Sequence, residues 1–290
     1  MHDIFFFTDI HGMYDLYRAI MDFCNKQDPK AAIIYGGDAC DRGPDGYKIM
    51  KELLDNPRVI YLKGNHEDMF VKAAREIKSL RLFTKNITRE KVRDGLWEAF
   101  YFGRNVDNIT LALGNGGINT LVDWVMDGMD IEFVERIEKL RLTCSIGKFD
   151  FCHAAGNPNV YVSVCEPEFY KERKVTETEK SFLLWDRSNF HIGWTAGRNV
   201  FFGHTPIVYL NDYMDIDWNE DDDPKPYKWT SNYIPELTGT KIDADTGACF
   251  TGIAYVIDVL KMQAQGFKDT TITDKENHNH LIEKIDVIQL

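Results

Sequence analysis

Residues 31–43 have the sequence AAIIYGGDACDRG. The unbroken apolar run from Ala31 to Tyr35 is typical of a short strand that is buried on both faces of a parallel sheet. Two glycines end this run, and polar side chains follow at Asp38, Asp41 and Arg42. The pattern predicts a strand that delivers two carboxylates and a guanidinium to one end of a sheet.

The same arrangement occurs on either side of this stretch. Residues 3–12 (DIFFFTDIHG) and 59–67 (VIYLKGNHE) also pass from an apolar run into polar side chains. Helical patterns follow the three runs, from Met13 to about Cys24, from Tyr47 to Leu54 and from Asp68 to about Leu80. Because strand–helix–strand crossovers are right-handed, the three strand ends should share one edge of a parallel sheet, where ligands bind.

The rest of the chain has a weaker pattern. We expect a catalytic domain over residues 1–260, with a helical insertion at about 87–140 that forms one wall of a cleft and an acidic loop at about 211–233. Strand character returns from Phe149 to Cys152, from Val200 to Phe202 and, as the last apolar strand, from Thr251 to Val259. Residues 261–290 form a C-terminal extension of unknown role, in which Leu281 to Leu290 fits either an edge strand or a helix.

Side chains that can ligate metal ions follow five of the apolar runs. Asp9 and His11 should point to the same side and chelate one ion, because alternate residues of an extended chain share a face. The two oxygens of Asp38 suit it to bridge two ions. The complete candidate ligand set is Asp9, His11, Asp38, Asn65, His153 and His204. Oxygen and nitrogen ligands without thiolate favour two divalent ions, with Mn²⁺ as the first expectation and Fe²⁺ or Zn²⁺ as alternatives.

Three more residues suit the chemistry of phosphate. His66 follows a ligand in the chain but should point elsewhere, which leaves it free to protonate a leaving oxygen. Asp41 could hold the imidazole of His66 and raise its basicity. Arg42 offers a planar fork to phosphate oxygens. Two ions would activate a shared water for in-line attack on phosphorus, so the sequence predicts a two-metal phosphoesterase.

Each of these motifs has a plainer explanation when taken alone. An Asp-x-His-Gly sequence occurs by chance, the turn at Asp41 and Arg42 could carry an ordinary surface ion pair, and His204 could simply end a strand. Cys40 is predicted to be a packed neutral thiol rather than a ligand. Complementary ligands at five successive strand ends make accident a poor explanation of the whole set.

Composition limits the cellular setting and the partners. The chain has 290 residues, a net charge of −12 and a pI near 5.1, which disfavours broad binding to nucleic acids. The N-terminal residues lack the features of a signal peptide, and no apolar stretch reaches the roughly 18–20 residues that cross a bilayer. The six cysteines are scattered, which predicts reduced, mostly buried thiols. We therefore expect a cytoplasmic protein, in a bacterium or an infected host cell, with no membrane partner.

The motifs resemble those of the PPP family of metal-dependent protein serine/threonine phosphatases, especially its compact phage and bacterial type. The family pattern GDxHG…GDxxDRG…GNHE matches at residues 9–12, 37–43 and 64–67, except that Thr8 replaces the first glycine. Later elements match at residues 115–117 (NGG), 152–154 (CHA), 184–187 (LWDR), 203–206 (GHTP) and 245–248 (DTGA). The likeness covers roughly residues 3–260.

The resemblance implies a fold and a role for each residue. The fold would be a calcineurin-like metallophosphoesterase of the α/β (α+β layered) class, with a central β-sandwich flanked by helices and a βαβαβ motif that carries the ligands. Asp9, His11 and Asp38 would hold one metal, and Asp38, Asn65, His153 and His204 the other. His66 with Asp41 would be the acid dyad. Arg42 and Arg187 would clamp the phosphoryl group.

The resemblance also implies a substrate, namely a protein or peptide phosphorylated on serine or threonine, with phosphotyrosine as a further possibility. The enzymatic alternative is a nucleotide hydrolase similar to the symmetrical diadenosine tetraphosphate hydrolases. Those enzymes usually have Asp at the position of Glu67 and often lack an intact Asp-Arg-Gly, so the sequence favours a protein phosphatase. A non-catalytic binding module would be expected to have lost ligands or the acid histidine, and all of them are present here.

Overall fold

Strand β1 (Ile4–Phe7) lies inside a six-stranded sheet in the computed structural model of this chain. The structure describes residues 2–84, 87–154, 175–187, 190, 197–212, 222–230, 239–273 and 282–290. On one side β1 pairs in parallel with β2 (Ala32–Tyr35), which pairs in parallel with β3 (Val59–Tyr61). The predicted parallel unit is confirmed, and its three strand ends share one edge.

The second sheet has five strands. These are β4 (Thr143–Ile146), β5 (Phe149–Cys152), β6 (Asn199–Phe202), β7 (Tyr227–Thr230) and β8 (Thr240–Asp243), in the order β4-β5-β6-β8-β7. The three inner strands are parallel, and the two edge strands run antiparallel to their neighbours. The predicted strands from Phe149 and from Val200 are therefore confirmed.

The two sheets pack face to face through aromatic side chains. Phe6 lies with its ring centroid 5.5 Å from that of Phe151 and 5.8 Å from that of Phe201. Because successive side chains of a strand point to opposite faces, Phe5 and Phe7 instead enter the core under the helices. Each fully buried phenylalanine contributes about 1.5–3 kcal/mol of hydrophobic free energy. The predicted layered α/β fold with a β-sandwich is confirmed.

Helices cover the outer face of the first sheet. The first three are α1 (Tyr14–Gln27), α2 (Gly46–Asp55) and α3 (Asn65–Leu80). The predicted helical insertion contains α4 (Arg89–Phe102), α5 (Asp107–Gly114), α6 (Ile118–Met126) and α7 (Ile131–Glu138). Helices α5, α6 and α7 pack on α2 and α3, and α4 packs on α5 and α6. Shorter elements follow at α8 (Glu177–Trp185), a 3₁₀ helix (Ile207–Asp212), α9 (Ala248–Thr251) and α10 (Thr270–Thr273).

Two expectations about the C-terminal part need correction. The strand predicted from Thr251 to Val259 is β9 (Ile253–Asp258), which pairs antiparallel with β1, but it is not the last strand. Strand β10 (Gln263–Asp269) pairs with β9, and β11 (Ile282–Gln289) pairs with β10. The predicted C-terminal extension thus contains two strands of the first sheet. Its final residues, for which the sequence allowed an edge strand or a helix, form the edge strand β11.

The acidic loop predicted at 211–233 lies only in part among the described residues. Residues 213–221 and 231–233 lie outside the described residues, and residues 227–230 form β7 rather than loop. Among the described residues, no helix is long and apolar enough to cross a membrane. The cytoplasmic location stays a prediction. Of the five cysteines in the described residues, those at 24, 40, 144 and 152 are buried, as expected, and Cys249 is half-buried.

Candidate metal centre

The strand-end residues share an unusual backbone conformation. Six non-glycine residues of the site have φ in the left-handed region: Asp9 (54°), His11 (46°), Asp38 (58°), Asp41 (69°), Arg42 (62°) and His204 (73°). This conformation costs about 1–3 kcal/mol for each such residue, and it persists only where the surrounding structure enforces it. Six such residues in one place indicate a functional site, where the direction of the side chains matters more than the local stability of the backbone.

Close packing between the first two motifs enforces this conformation. The backbone N–H of Asp9 donates to the carbonyl of Gly37 at 3.0 Å, and Gly43 N donates to the carbonyl of His11 at 2.9 Å. Gly12 has φ of 74°, and a Cβ there would lie 2.7 Å from the carbonyl carbon of Gly43. Only glycine therefore fits at position 12, which explains the glycine that ends the first motif.

Asp38 lies at the middle of the buried polar cluster. Its Oδ2 is 3.6 Å from Nε2 of His11 and 3.8 Å from Nε2 of His66, and its Oδ1 is 3.4 Å from Nε2 of His153. Two overlapping groups each bring their ligand atoms within 4.8 Å of one another: His11, Asp38 and His66, and Asp38, His153 and His204. The shared carboxylate is the arrangement expected for a pair of neighbouring cations.

Hydrogen bonds fix which imidazole nitrogens face Asp38. Nδ1 of His11 donates to the carbonyl of Cys40 at 2.9 Å, and Nδ1 of His153 donates to the carbonyl of Gly36 at 3.0 Å. A carbonyl only accepts, so the proton of each neutral ring is on Nδ1 and the lone pair of Nε2 points to the cluster. This second layer of contacts is typical of metal-ligating histidines.

Asn65 brings the third motif into the same cluster. Its Oδ1 lies 2.8 Å from Nε2 of His153 and 3.0 Å from Nδ1 of His204. Since Nε2 of His153 carries no proton, its lone pair faces a lone pair on Oδ1 of Asn65 across 2.8 Å. A cation bound by both atoms would relieve the repulsion between these lone pairs. Nε2 of His204 is buried and has no hydrogen-bond partner among the described residues. The donor set therefore fits divalent metal ions.

The charges of the cluster also suit metal binding. Burial lowers the pKa of His11 and of His204 well below the usual 6.5, and it lowers the pKa of His153 as well. Burial would raise the pKa of Asp38, but the surrounding imidazoles outweigh it and hold that pKa below the usual range. Low pKa values at Asp38 and at these three histidines favour the deprotonated forms, in which carboxylate and imidazole ligate metal.

His66 differs from the other histidines. Its Nδ1 lies 2.8 Å from Oδ2 of Asp41, and both side chains are buried. Burial alone would lower the pKa of His66, but the carboxylates of Asp38 and Asp41 outweigh it and raise that pKa above 6.5. His66 is thus the one histidine of the cluster whose raised pKa favours the protonated form.

Two arginines border the cluster. Arg42 is exposed, and it donates from Nη1 to Nε2 of His11 at 2.9 Å, with Nη2 at 3.3 Å from Nε2 of His66. Arg187 lines the same cavity, of about 410 Å³, and its Nε has no hydrogen-bond partner in the described part of the chain. The lining residues are Arg42, Arg187, His204, Thr205, Pro206, Tyr209 and Phe250. The cavity can therefore receive an anion beside the metal ligands.

All ten residues predicted for the site lie together in the structure. Their positions differ from the prediction in one respect, because α3 begins at Asn65 and not at Asp68. Asn65 and His66 therefore lie in the first turn of a helix, where adjacent side chains diverge by about 100°. This geometry explains how Asn65 faces His153 while His66 faces Asp41.

Sequence reasoning missed residues that support the ligands. The carboxylate of Glu67 accepts hydrogen bonds from the backbone N–H groups of Asp38, Ala39 and Gly64 at 2.9, 2.8 and 2.7 Å, and from the hydroxyl of Tyr61 at 2.8 Å. The sequence did contain a signal for Glu67, because an acidic side chain three positions after a helix N-cap often accepts the backbone N–H of the cap residue.

The helical insertion contributes a second support. Gly116 accepts from the backbone N–H of Arg42 at 2.9 Å, and the Thr120 hydroxyl accepts from the backbone N–H of Asp41 at 3.0 Å. The insertion therefore holds the outer side of the second motif, in keeping with its predicted position beside the cleft. Nothing in the local sequence singles out Thr120, since its partner is 79 residues away.

Comparison with known proteins identifies the family. A family model described as calcineurin-like phosphoesterase matches residues 2–218. The chain belongs to the calcineurin-like phosphoesterase family. Its buried histidine and aspartate groups could hold metal ions.

Curated relatives of this phosphoesterase match over a short segment. A symmetrical bis(5'-nucleosyl)-tetraphosphatase of Buchnera aphidicola subsp. Acyrthosiphon pisum (strain 5A) is 36% identical over 64 residues, which are 22% of this chain and 23% of the relative. The enzyme of the same name from Buchnera aphidicola subsp. Schizaphis graminum is 32% identical over 65 residues, 22% of this chain and 24% of its own. The match thus spans about a quarter of these relatives.

Solved structures resemble the phosphoesterase over most of its length. A metallophosphoesterase from Sphaerobacter thermophilus has a TM-score of 0.45 and 12% identity, and covers 89% of this chain and 83% of its own. A protein serine/threonine phosphatase from Saccharomyces cerevisiae, with similarity to human phosphatase PP5, has a TM-score of 0.43 and 11% identity, with 100% and 81% coverage.

Proposed function

We propose that this phosphoesterase hydrolyses phosphomonoesters, with proteins or peptides phosphorylated on serine or threonine as substrates. The observation that carries the proposal is the buried pair of His66 and Asp41, 2.8 Å apart, beside the ligand cluster. Such a pair supplies a proton donor, and the need for one depends on the leaving group. An alkoxide from serine or threonine is strongly basic and must be protonated as it departs.

The proposed ligand sets are those that the resemblance implies. Of their members, the structure brings His11 together with Asp38, and Asp38 together with His153 and His204. Asp9, His11 and Asp38 would hold one divalent ion, and Asp38, Asn65, His153 and His204 a second. Such a pair, with Mn²⁺ first and Fe²⁺ or Zn²⁺ as alternatives, supplies a water of lowered pKa as nucleophile and an electrostatic clamp on the phosphoryl oxygens.

The protein side chains then complete the reaction. Asp41 accepts from Nδ1 of His66 and keeps the opposite nitrogen, Nε2, directed away from it and toward the cleft. Protonated Nε2 donates its proton to the ester oxygen that leaves, which ends the step with a neutral imidazole and a free hydroxyl group. Arg42 and Arg187 bind the phosphoryl oxygens, because both line the cavity beside His204.

A second candidate is nucleotide hydrolysis, for which two observations speak. The curated relatives are named symmetrical bis(5'-nucleosyl)-tetraphosphatases. In addition, the rings of Tyr209 and Phe250 are 51% and 42% exposed at the cavity, with centroids 5.9 Å apart, and exposed rings can stack on a nucleobase. Against this candidate, a nucleoside polyphosphate is a weakly basic leaving group that gains little from the acid His66.

The deciding experiment compares kcat/KM for a phosphoserine peptide and for a dinucleoside tetraphosphate, on one preparation supplied with Mn²⁺. The proposal predicts a higher kcat/KM for the phosphopeptide. A double variant, Tyr209→Ala with Phe250→Ala, provides the control for base stacking. Turnover of the dinucleotide alone, lost in this double variant, would overturn the proposal in favour of nucleotide hydrolysis.

A further inference from the structure

Thr8 and His204 together hold the carboxylate of Asp9. The hydroxyl of Thr8 donates to Oδ2 of Asp9 at 2.5 Å, and the backbone N–H of His204 lies 3.1 Å from both carboxylate oxygens. Thr8 and Asp9 are both buried, so water does not replace these donors. The contacts join the end of β1 to the turn after β6, which belongs to the other sheet.

The three hydrogen bonds are distributed unevenly over the carboxylate. Oδ2 accepts from Thr8 and from His204, which matches its two in-plane lone pairs. Oδ1 accepts only from His204 among the described residues, so it keeps a lone pair free. The threonine hydroxyl thereby distinguishes two oxygens that are chemically equivalent in an isolated carboxylate.

The packing around Thr8 leaves its side chain little freedom. A Cβ on Gly36 would lie 2.5 Å from Oγ1 of Thr8, and a Cβ on Gly203 would lie 2.6 Å from its Cγ2. The threonine therefore fills the space that two glycines leave, one after β2 and one after β6. A side chain enclosed on two sides keeps its rotamer, and so keeps its hydroxyl directed at Asp9.

We propose that Thr8 is a positioning residue for the metal ligand Asp9, whose hydroxyl occupies Oδ2 and leaves Oδ1 to ligate the ion. The inference rests on the proposed metal centre and is independent of the substrate. Donors of this kind, which orient a ligand without touching the metal, typically change metal affinity about 10–100-fold when they are removed. Asp9 belongs to the set proposed for one ion, so the ion held by His153 and His204 should be affected much less.

The test is calorimetric titration of the metal-free protein with Mn²⁺, for the wild type and for two variants. Thr8→Val keeps the branched shape and removes the hydroxyl, whereas Thr8→Ser keeps the hydroxyl and removes the methyl group. We expect Thr8→Val to weaken one of two binding events about 10–100-fold and Thr8→Ser to stay within a few-fold of the wild type.

The other outcomes separate the inference from the metal centre itself. Wild-type affinity for both ions in Thr8→Val would overturn the role of Thr8 alone. Equal weakening in Thr8→Ser and Thr8→Val would also overturn it, because the methyl group and not the hydroxyl would then be responsible. A wild-type protein that binds no Mn²⁺ would contradict the proposed metal centre, and the inference with it. Thermal unfolding of the metal-free proteins confirms that each variant folds.

Discussion

Nδ1 of His66 lies 2.8 Å from Oδ2 of Asp41, and the raised pKa of His66 depends on this carboxylate and that of Asp38. The other histidines of the cluster, at 11, 153 and 204, have lowered pKa values because burial disfavours their charge. One imidazole with a raised pKa beside three with lowered pKa values divides the site into a candidate proton donor and a set of candidate ligands. The predictions below test this division.

Asp41→Asn should change the pH dependence of turnover. A proton donor loses activity as the pH rises through its pKa. The charge of Asp38, together with the hydrogen bond that His66 donates to Asp41, raises the pKa of His66. Removal of the carboxylate charge lowers that pKa, so the alkaline limb of the kcat profile should move to lower pH. Asp127→Asn is the control, since Asp127 pairs with Tyr47 and Lys51 at the surface. An alkaline limb at the same pH in Asp41→Asn would exclude this carboxylate from the dyad.

His66→Asn should reduce kcat in proportion to the basicity of the leaving group. For a phosphoserine peptide we expect a loss of about 10²–10⁴-fold, equal to roughly 3–5 kcal/mol of transition-state stabilisation. For p-nitrophenyl phosphate, whose leaving group is a weak base, the loss should be much smaller. Steady-state kinetics on both substrates measure the difference, and equal losses would refute a donor role. The metal content should stay nearly unchanged, although Nε2 of His66 lies 3.8 Å from Asp38.

Arg187→Ala should lower kcat/KM through lost contacts with the phosphoryl group. Arg187 follows α8, whose Lys180 forms an ion pair with Asp68 in α3. This ion pair connects the helix that precedes Arg187 to the helix that carries Asn65. Arg136→Ala is the control, because Arg136 is exposed and bonds to Asp55 on the surface. If kcat/KM is the same in Arg187→Ala as in the wild type, Arg187 does not belong to the site.

Glu67→Gln should destabilise the fold. Its carboxylate accepts three backbone N–H groups and one hydroxyl, and an amide would place an N–H against one of these donors. We expect a loss of about 2–4 kcal/mol in the free energy of unfolding, measured by urea denaturation of the metal-free protein. Glu98→Gln, on the exposed face of α4, should change it by less than about 0.5 kcal/mol. A loss as small as this in Glu67→Gln would show that the buried carboxylate is not needed.

The sequence predicted the ligand cluster because crossover connections place successive parallel strand ends on one edge. The positions of Asp9, Asp38 and Asn65 follow from this rule alone. The start of α3 did not follow from the apolar pattern, since it is set by the hydrogen bond from the backbone N–H of Gly64 to the carboxylate of Glu67. A helix pattern begins to show only after the cap, so the predicted start was three residues late.

Other parts of the site depend on contacts between distant segments. The hydrogen bond from Thr8 to Asp9 is local, but the glycines that enclose Thr8 come from two different sheets. The contact of Asp41 with Thr120 spans 79 residues. Strand β10 was not predicted, and β11 was left open between an edge strand and a helix, because polar residues interrupt the apolar pattern of both.

The central claim is that Asp38 would help to hold both ions of a two-metal centre. Its most direct test is the metal content per chain of the wild type and of Asp38→Asn after exposure to Mn²⁺ and removal of free metal, measured by elemental analysis. The account predicts two ions per wild-type chain and a loss of bound metal in Asp38→Asn, while His66→Asn retains both ions. A wild-type chain with no bound metal, or an Asp38→Asn chain that keeps two ions, would contradict it.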